Sequence, residues 1–89
     1  TLVEGQLAAN EIDEYVLRAM AGQFMMVNIY SPNHDVLLEI YGLEDGQPLV
    51  RVPMGQTSWQ GVLPATQDYD IKAVSVGGAT TYTMEITIE

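Results

Sequence analysis

Short runs in which apolar and polar residues alternate constrain this chain more than any other feature of its sequence. The clearest run is the segment Thr80–Ile88, where four apolar residues alternate with threonines and a glutamate. A period of two is typical of a β-strand with one buried and one solvent-exposed face, because successive side chains of a strand point to opposite sides. The alternation therefore predicts strands that pair into sheets around a shared core.

The stretch 58–76 predicts the corner around which these strands are organised. It contains Trp59, the only tryptophan, and Pro64, which cannot donate a ladder hydrogen bond and therefore marks the end of a strand. A polar turn at 65–67 follows, and after it comes a second alternating run that includes Tyr69. We interpret the stretch as strand, corner and strand, with Trp59 and Tyr69 as its large packing residues.

Turn-forming residues divide the remainder of the chain into further short strands. Turn signals recur about every 8–12 residues, which is typical of an all-β sandwich or barrel. Residues 10–20 also fit a short helix capped by Asn10, but the alternation within them and the β-rich remainder favour a strand. The predicted strands are 2–7, 10–20, 23–30, 36–41, 49–52, 57–63, 69–76 and 80–88.

These strands predict an all-β fold, an antiparallel, jelly-roll-like sandwich of about eight short strands with no substantial helix. The 89 residues are expected to form a single domain, because 47% are hydrophobic and only 17% are charged. The domain is either the mature form of an exported protein or a segment excised from a longer one. The predicted core contains Tyr15, Leu17, Val27, Ile29, Leu38, Ile40, Trp59, Leu63, Tyr69, Ile71, Tyr82, Met84 and Ile86.

The acidic composition narrows the classes of partner. Twelve acidic residues against three basic ones give a formal net charge of −9. Nucleic acids and anionic membranes both bind through clustered lysine and arginine, so neither is an expected partner. No apolar run reaches the roughly 18 residues of a membrane-spanning helix, so membrane insertion is not expected either. A basic protein partner fits the charge better.

No pattern in the sequence indicates a catalytic or metal-binding site. There is no cysteine, and the single histidine, His34, lies in a Ser-Pro-Asn-His-Asp turn where a solvated loop residue is expected. Acid–base catalysis needs two carboxyl groups in unlike environments that face one cleft. The acid pairs Asp13/Glu14, Glu44/Asp45 and Asp68/Asp70 are interpreted instead as solvated strand faces and turns. We therefore predict a non-enzymatic protein without a metal ion or cofactor.

An apolar strand face is the first candidate surface for a protein partner. If Met25, Val27 and Ile29 face the core, the alternate residues of the same strand stand on its outer face. An exposed apolar patch of several hundred Å² on a small domain usually marks an interface. The residues predicted to form a partner or homodimer surface are Val16, Met20, Phe24, Met26 and Tyr30.

Three loops are the second candidate surface. Residues 31–35, 54–58 and 77–80 are turn-rich segments that could enter the cleft of an enzyme, which is a usual device of protein inhibitors. Basic or polar groups in such loops could pair with carboxylates in the cleft. The candidate contact residues are Asn33, His34, Asp35 and Arg51.

The order of turns and aromatic residues resembles the bacterial prepeptidase C-terminal domain superfamily. The segments that carry the resemblance are Asp13-Glu14-Tyr15-x-Leu17, Ala21-Gly22-Gln23, Ile40-Tyr41-Gly42, Trp59-x-Gly61-x-Leu63-Pro64, Tyr69-x-Ile71 and the final strand from Tyr82. The chain is most similar to the branch that contains periplasmic inhibitors of g-type lysozyme. Members of the superfamily often carry an aspartate pair after the third strand, whereas here Val36 and Leu37 follow Asp35.

The resemblance implies a periplasmic or extracellular location and a non-catalytic binding function. The main hypothesis is an accessory module that mediates attachment or assembly for a larger exported protein. The alternative is a stand-alone periplasmic inhibitor of g-type lysozyme. A third alternative is carbohydrate binding through an exposed tyrosine, for which Tyr30 and Tyr41 are the candidates.

Overall fold

The structure is a computed structural model that describes residues 1–51 and 54–89. Within these ranges eight antiparallel strands form two four-stranded sheets and there is no α-helix, so the predicted all-β sandwich is confirmed. The first sheet has the order β1-β8-β3-β6 and the second the order β2-β7-β4-β5. The strands are β1 (Leu2–Leu7), β2 (Ile12–Ala19), β3 (Phe24–Tyr30), β4 (Val36–Gly42), β5 (Pro48–Val50), β6 (Ser58–Val62), β7 (Gln67–Ser75) and β8 (Thr80–Ile88).

The predicted strand boundaries agree closely with these elements. β1 and β8 coincide with the predicted ranges, and the helical alternative for 10–20 is excluded because Ile12–Ala19 pairs with β7 along its whole length. β5 begins one residue earlier than predicted. The end of that predicted strand, Val52, lies outside the described residues.

The pairing pattern is that of a long hairpin rolled up on itself. β1 pairs with β8, β2 with β7, β3 with β6 and β4 with β5, all antiparallel. Rolling this hairpin adds the pairs β3–β8 and β4–β7, which complete the two sheets. An eight-stranded jelly roll is wound in the same way, and each consecutive strand up to β4 crosses to the opposite sheet.

The core lies between the inner faces of the two sheets. Ten of the thirteen predicted core residues are buried, whereas Tyr15, Leu17 and Trp59 are only partly buried and pack against the core. These three lie on β2 and β6, which are edge strands, and an edge leaves one side of a side chain open to solvent. The buried hydrophobic residues outside the predicted set are Leu7, Ala19, Met25, Val36, Val50 and Ala73.

A tyrosine hydroxyl joins the two sheets at the side of the sandwich. Tyr82 on β8 is 3% exposed, and its hydroxyl donates to Asp13 Oδ2 at 2.7 Å and lies 2.6 Å from the Tyr15 hydroxyl, both on β2. Burial, together with these two hydrogen bonds, raises the pKa of Tyr82. Gly5 makes room for the ring, because a Cβ there would lie 2.7 Å from it. The expectation that Asp13 lies on a solvated face with Glu14 was therefore wrong.

The predicted corner in 58–76 is confirmed and is closed by two polar side chains. The Tyr69 hydroxyl donates to the Ala65 carbonyl at 2.6 Å. Gln67 was predicted in a polar turn but is buried at the start of β7. Its Oε1 accepts from the backbone N–H groups of Glu44 (3.0 Å) and Asp45 (3.1 Å), so it holds the β4–β5 turn.

Replacement of Tyr82 by phenylalanine tests the link between the sheets. Tyr82→Phe removes the hydroxyl that satisfies Asp13 and Tyr15, and we expect the free energy of unfolding to fall by about 2 kcal/mol. The measurement is urea denaturation at neutral pH. Tyr30→Phe is the matched control, since Tyr30 is 58% exposed. Equal stability of the two variants would contradict a cross-sheet role for this hydroxyl.

Candidate functional site

Four loops meet at one end of the sandwich. Because paired strands are antiparallel, the connections after β1, β3, β5 and β7 all lie at the same end. We call this the loop end; it contains residues 8–11, 31–35, 51, 54–57 and 76–79. The three predicted contact loops are therefore brought together by the winding of the chain, although they are far apart in sequence.

Loop 31–35 is held by its backbone and presents two exposed side chains. His34 has a φ of 55° and its N–H donates to the Ser31 carbonyl at 3.3 Å. The Asp35 carbonyl accepts from Val76 N at 2.9 Å, which ties this loop to the loop after β7. Asn33 and His34 are exposed, whereas Asp35 is half-buried. The loop therefore offers Asn33 and His34 to a partner from a fixed support.

The Asp35 side chain faces the protein more than the solvent. A Cβ at Gly77 would lie 2.5 Å from Asp35 Oδ2, so this glycine is needed for the carboxylate to pack where it does. Asp35 Oδ1 is buried and has no hydrogen-bond partner among the described residues. Asp35 thus differs from its two exposed neighbours among the candidate contacts.

The segment 56–57 crosses between the two sheets beside this loop. The Gln56 carbonyl accepts from Leu38 N in the second sheet, and the Thr57 carbonyl accepts from Ile29 N in the first, both at 2.8 Å. A groove of about 500 Å³ lies between this segment and the end of β3. Its lining includes Asn28, Tyr30, Ser31, His34, Thr57 and Ser58, so two predicted contact loops share one groove.

Few positive charges are available at the loop end. Among the residues of its four connections, only His34 and Arg51 are basic or can become so. Arg51 is exposed, and its backbone N–H lies 3.4 Å from Met54 Sδ. These two side chains are therefore the groups of the loop end that could pair with an acidic cleft.

The structure does not bring the predicted apolar surface together on one sheet. Phe24, Met26 and Tyr30 lie on the outer face of β3 in the first sheet, as predicted. Val16 lies on the outer face of β2, which belongs to the second sheet, and exposed Met20 lies in the connection between β2 and β3. The expectation of one face was wrong because consecutive strands here belong to opposite sheets.

The outer face of the second sheet carries a charged cluster around Lys72. Lys72 Nζ lies 3.7 Å from Asp70 Oδ2, 3.9 Å from Glu14 Oε2 and 5.7 Å from the centre of the Tyr41 ring. Asp70 is only 6% exposed, so the expectation of a solvated Asp68/Asp70 face was wrong for this residue. Burial raises the pKa of Asp70, and the neighbouring Glu14 adds to the effect.

Neither a metal site nor a membrane-spanning helix is found in the part of the chain that the structure describes. No three histidine, aspartate or glutamate side chains in residues 1–51 and 54–89 are grouped so that they could hold a metal ion. No helix in the same ranges is long and apolar enough to cross a membrane. The loop end presents a groove beside loops that are held by backbone hydrogen bonds.

The fold is shared with periplasmic lysozyme inhibitors of known structure. The crystal structure of Aeromonas hydrophila PliG, an inhibitor of g-type lysozyme, matches with a TM-score of 0.84 and 22% identity, over 100% of this chain and 85% of that one. PliG from Salmonella Typhimurium (TM-score 0.75) and a mutant of PliG from Escherichia coli (0.74) each match with 22% identity, over 100% of this chain and 86% of theirs. At this identity the likeness shows the fold alone.

Comparisons of sequence add no family to this result. No family model matches the chain, and none of the curated proteins matches it. The structural matches agree with the lysozyme-inhibitor part of the resemblance described above. The wider link to prepeptidase C-terminal domains stays a prediction.

A mutational test shows whether the apolar residues on the outer face of the first sheet mediate self-association. Phe24 is opposite Val62 on β6, and Met26 is next to it on the same face. We expect Phe24→Ser combined with Met26→Ser to lower self-association, measured by sedimentation velocity, with little change in melting temperature. Val16→Ser on the opposite outer face is the control. A large fall in melting temperature would assign Phe24 and Met26 to the core instead.

A second test concerns the pH dependence of stability at Asp70. A carboxyl whose pKa is higher in the folded than in the unfolded state costs stability once it ionises, so stability falls as pH rises above about 4. We expect Asp70→Asn to raise the free energy of unfolding at pH 7, and the gain to disappear in acid. Asp68→Asn is the control, because Asp68 is half-exposed and lies 3.6 Å from Arg18. Denaturation at several pH values is the measurement, and a destabilised Asn variant at pH 7 would contradict this.

Proposed function

We propose that this chain is a periplasmic protein that binds and inhibits a g-type lysozyme without performing any reaction. The observation that carries the proposal is the match to Aeromonas hydrophila PliG over 100% of this chain and 85% of that inhibitor. A match over nearly the full length of a small inhibitor supports this function better than that of an accessory module, for which the structure offers no specific observation. A location outside the cytoplasm follows from the same proposal.

We infer that the loop end is the surface that contacts the enzyme. Loops on a rigid scaffold are the usual place for binding residues, and protein inhibitors typically bind with little backbone movement. The support for this choice is that the backbone of 56–57 bonds to both sheets and that Asp35 bonds to Val76 in the loop after β7. A loop held in this way loses little conformational entropy when it binds, which favours affinity.

The charge of the chain fits an encounter with a basic enzyme. A net charge of −9 would steer a positively charged partner and raise the association rate at low ionic strength. Glycoside hydrolases commonly use a pair of carboxyl groups at the scissile bond. His34 and Arg51 are the groups of the loop end that could bond to such carboxylates.

The proposal is tested by inhibition of lysis. The purified protein is added to a goose-type lysozyme acting on cell walls, and we expect inhibition that becomes weaker as the salt concentration rises. Absence of inhibition at micromolar concentration would remove the proposal. The accessory-module hypothesis would then be the one to pursue.

Variants at the loop end test the location of the contact. His34→Asn keeps a residue that tolerates positive φ while it removes the imidazole, and combined with Asn33→Ala we expect it to weaken inhibition at least about tenfold, roughly 1.4 kcal/mol. Gln47→Ala is the matched control, because Gln47 is exposed in the β4–β5 turn at the opposite end. Equal inhibition by both variants would place the contact elsewhere on the protein.

A further inference from the structure

A groove lies on the outer face of the first sheet, where short side chains on β8 are flanked by longer side chains on the neighbouring strands β1 and β3. On this face Thr83 of β8 is opposite Glu4 of β1 on one side and Tyr30 of β3 on the other. Thr81, two residues earlier on β8, is opposite Gln6. The small threonines therefore form the floor between taller walls. We call this groove the threonine trough.

The trough is open at the loop end and narrowed at the other. Its volume is about 610 Å³, and Pro32 and Ser31 extend the Tyr30 wall towards the loop end. In the next row of the sheet, Asn28 Nδ2 donates to Glu85 Oε1 at 3.4 Å, so two longer side chains stand across the line of threonines. The result is a short concave site on the outer face of the first sheet.

The polar groups of the trough are available for a ligand. Within residues 1–51 and 54–89 no hydrogen bond involves the side chain of Glu4, Gln6, Thr81 or Thr83, whereas the neighbouring Asn28 and Glu85 side chains are paired with each other. Tyr30 is 58% exposed and its ring forms one wall. Hydroxyl, amide and carboxylate groups thus converge on a space that is bounded by an aromatic ring.

This combination selects a neutral saccharide. A pyranose ring carries C–H groups on its faces and hydroxyls at its edge, so an aromatic wall can pack on a face while polar groups bond to the edge. Among the described residues that line the trough none is basic and Glu4 is the one acidic residue, which disfavours phosphates and other anions. A floor of hydroxyl groups does not suit an acyl chain or an apolar helix.

The structure also distinguishes Tyr30 from Tyr41, the two tyrosines that are equally good candidates for sugar binding in the sequence. Tyr41 lies on the outer face of the second sheet, where Lys72 Nζ is 5.7 Å from the centre of its ring, and the neighbouring Glu39 raises the pKa of Tyr41. Its ring face is therefore occupied by the protein itself. Tyr30 has an exposed ring beside the trough. Tyr30 therefore borders a groove with polar groups available to a sugar.

We propose that the threonine trough, bounded by Tyr30 and Pro32 on one side and by Glu4 and Gln6 on the other, is a binding site for a neutral oligosaccharide. This proposal does not depend on lysozyme inhibition, since the site needs no enzyme. Affinity is expected to be low, because the trough is open and shallow. Most of the contact area with the sugar comes from Tyr30. The hydroxyls of the two threonines and the Gln6 amide fix the orientation of the sugar through hydrogen bonds.

The test is a titration of the isotope-labelled protein, followed by amide NMR, with tetra-N-acetylchitotetraose and separately with cellotetraose at millimolar concentration. We expect saturable shifts at Gln6, Tyr30, Thr81 and Thr83 with at least one of these sugars. Tyr30→Ala should weaken binding at least about tenfold, whereas Tyr30→Phe should retain it. Thr83→Val, which removes a hydroxyl with little change in volume, should weaken binding severalfold.

Tyr41→Ala is the matched control on the opposite face, and we expect it to bind the sugar as the unmodified protein does. No saturable shift with either sugar would overturn the proposal. Shifts that persist unchanged in Tyr30→Ala, or that map to the second sheet, would overturn it as well. Since no lysozyme is present in the titration, a failure here leaves the inhibition assay unaffected, and the reverse also holds.

Discussion

The pairing of strands from opposite ends of the chain is the constraint on which the rest of the structure depends. β1 pairs with β8, and Thr1 N donates to the Ile86 carbonyl at 2.9 Å, so the first and the last strand both belong to the first sheet. Once these outermost strands are paired, the remaining antiparallel pairs place every second connection at the same end. The loop end and the threonine trough are therefore both consequences of how the chain is wound.

Strand positions could be predicted from the sequence because alternation is a local property, but the place of each strand in its sheet could not. Asp68 and Asp70 have the same pattern in the sequence, and only Asp70 is buried. β7 is a central strand, and at Asp70 Val16 of β2 and Tyr41 of β4 stand on either side, whereas the pairing with β4 ends at Tyr69, before Asp68 is reached. Asp13 was misassigned for the related reason that its partner, Tyr82, is 69 residues away along the chain.

For the candidate sites, too, local features could be predicted from the sequence, whereas features that depend on long-range strand pairing could not. Turn composition identified the loops that now lie together, but their meeting at one end follows from pairing that no local pattern contains. The predicted apolar surface assumed that strands consecutive in sequence are neighbours in one sheet, as they usually are. That assumption is wrong for part of this surface. In this fold β2 and β3 instead lie in opposite sheets, and Val16 is separated from Phe24 by the thickness of the sandwich.

The loop-end groove and the threonine trough share two residues, Tyr30 and Ser31, which line both. Two ligands that contact the same side chains cannot be energetically independent, and the coupling between them must be reciprocal. If Tyr30 turns its ring towards a sugar in the trough, the same ring is lost to a partner at the loop end. A protein partner that covers His34 and Ser31 would in turn narrow the open mouth of the trough. If both proposals hold, the shared wall makes the oligosaccharide and the enzyme competing ligands of this small domain.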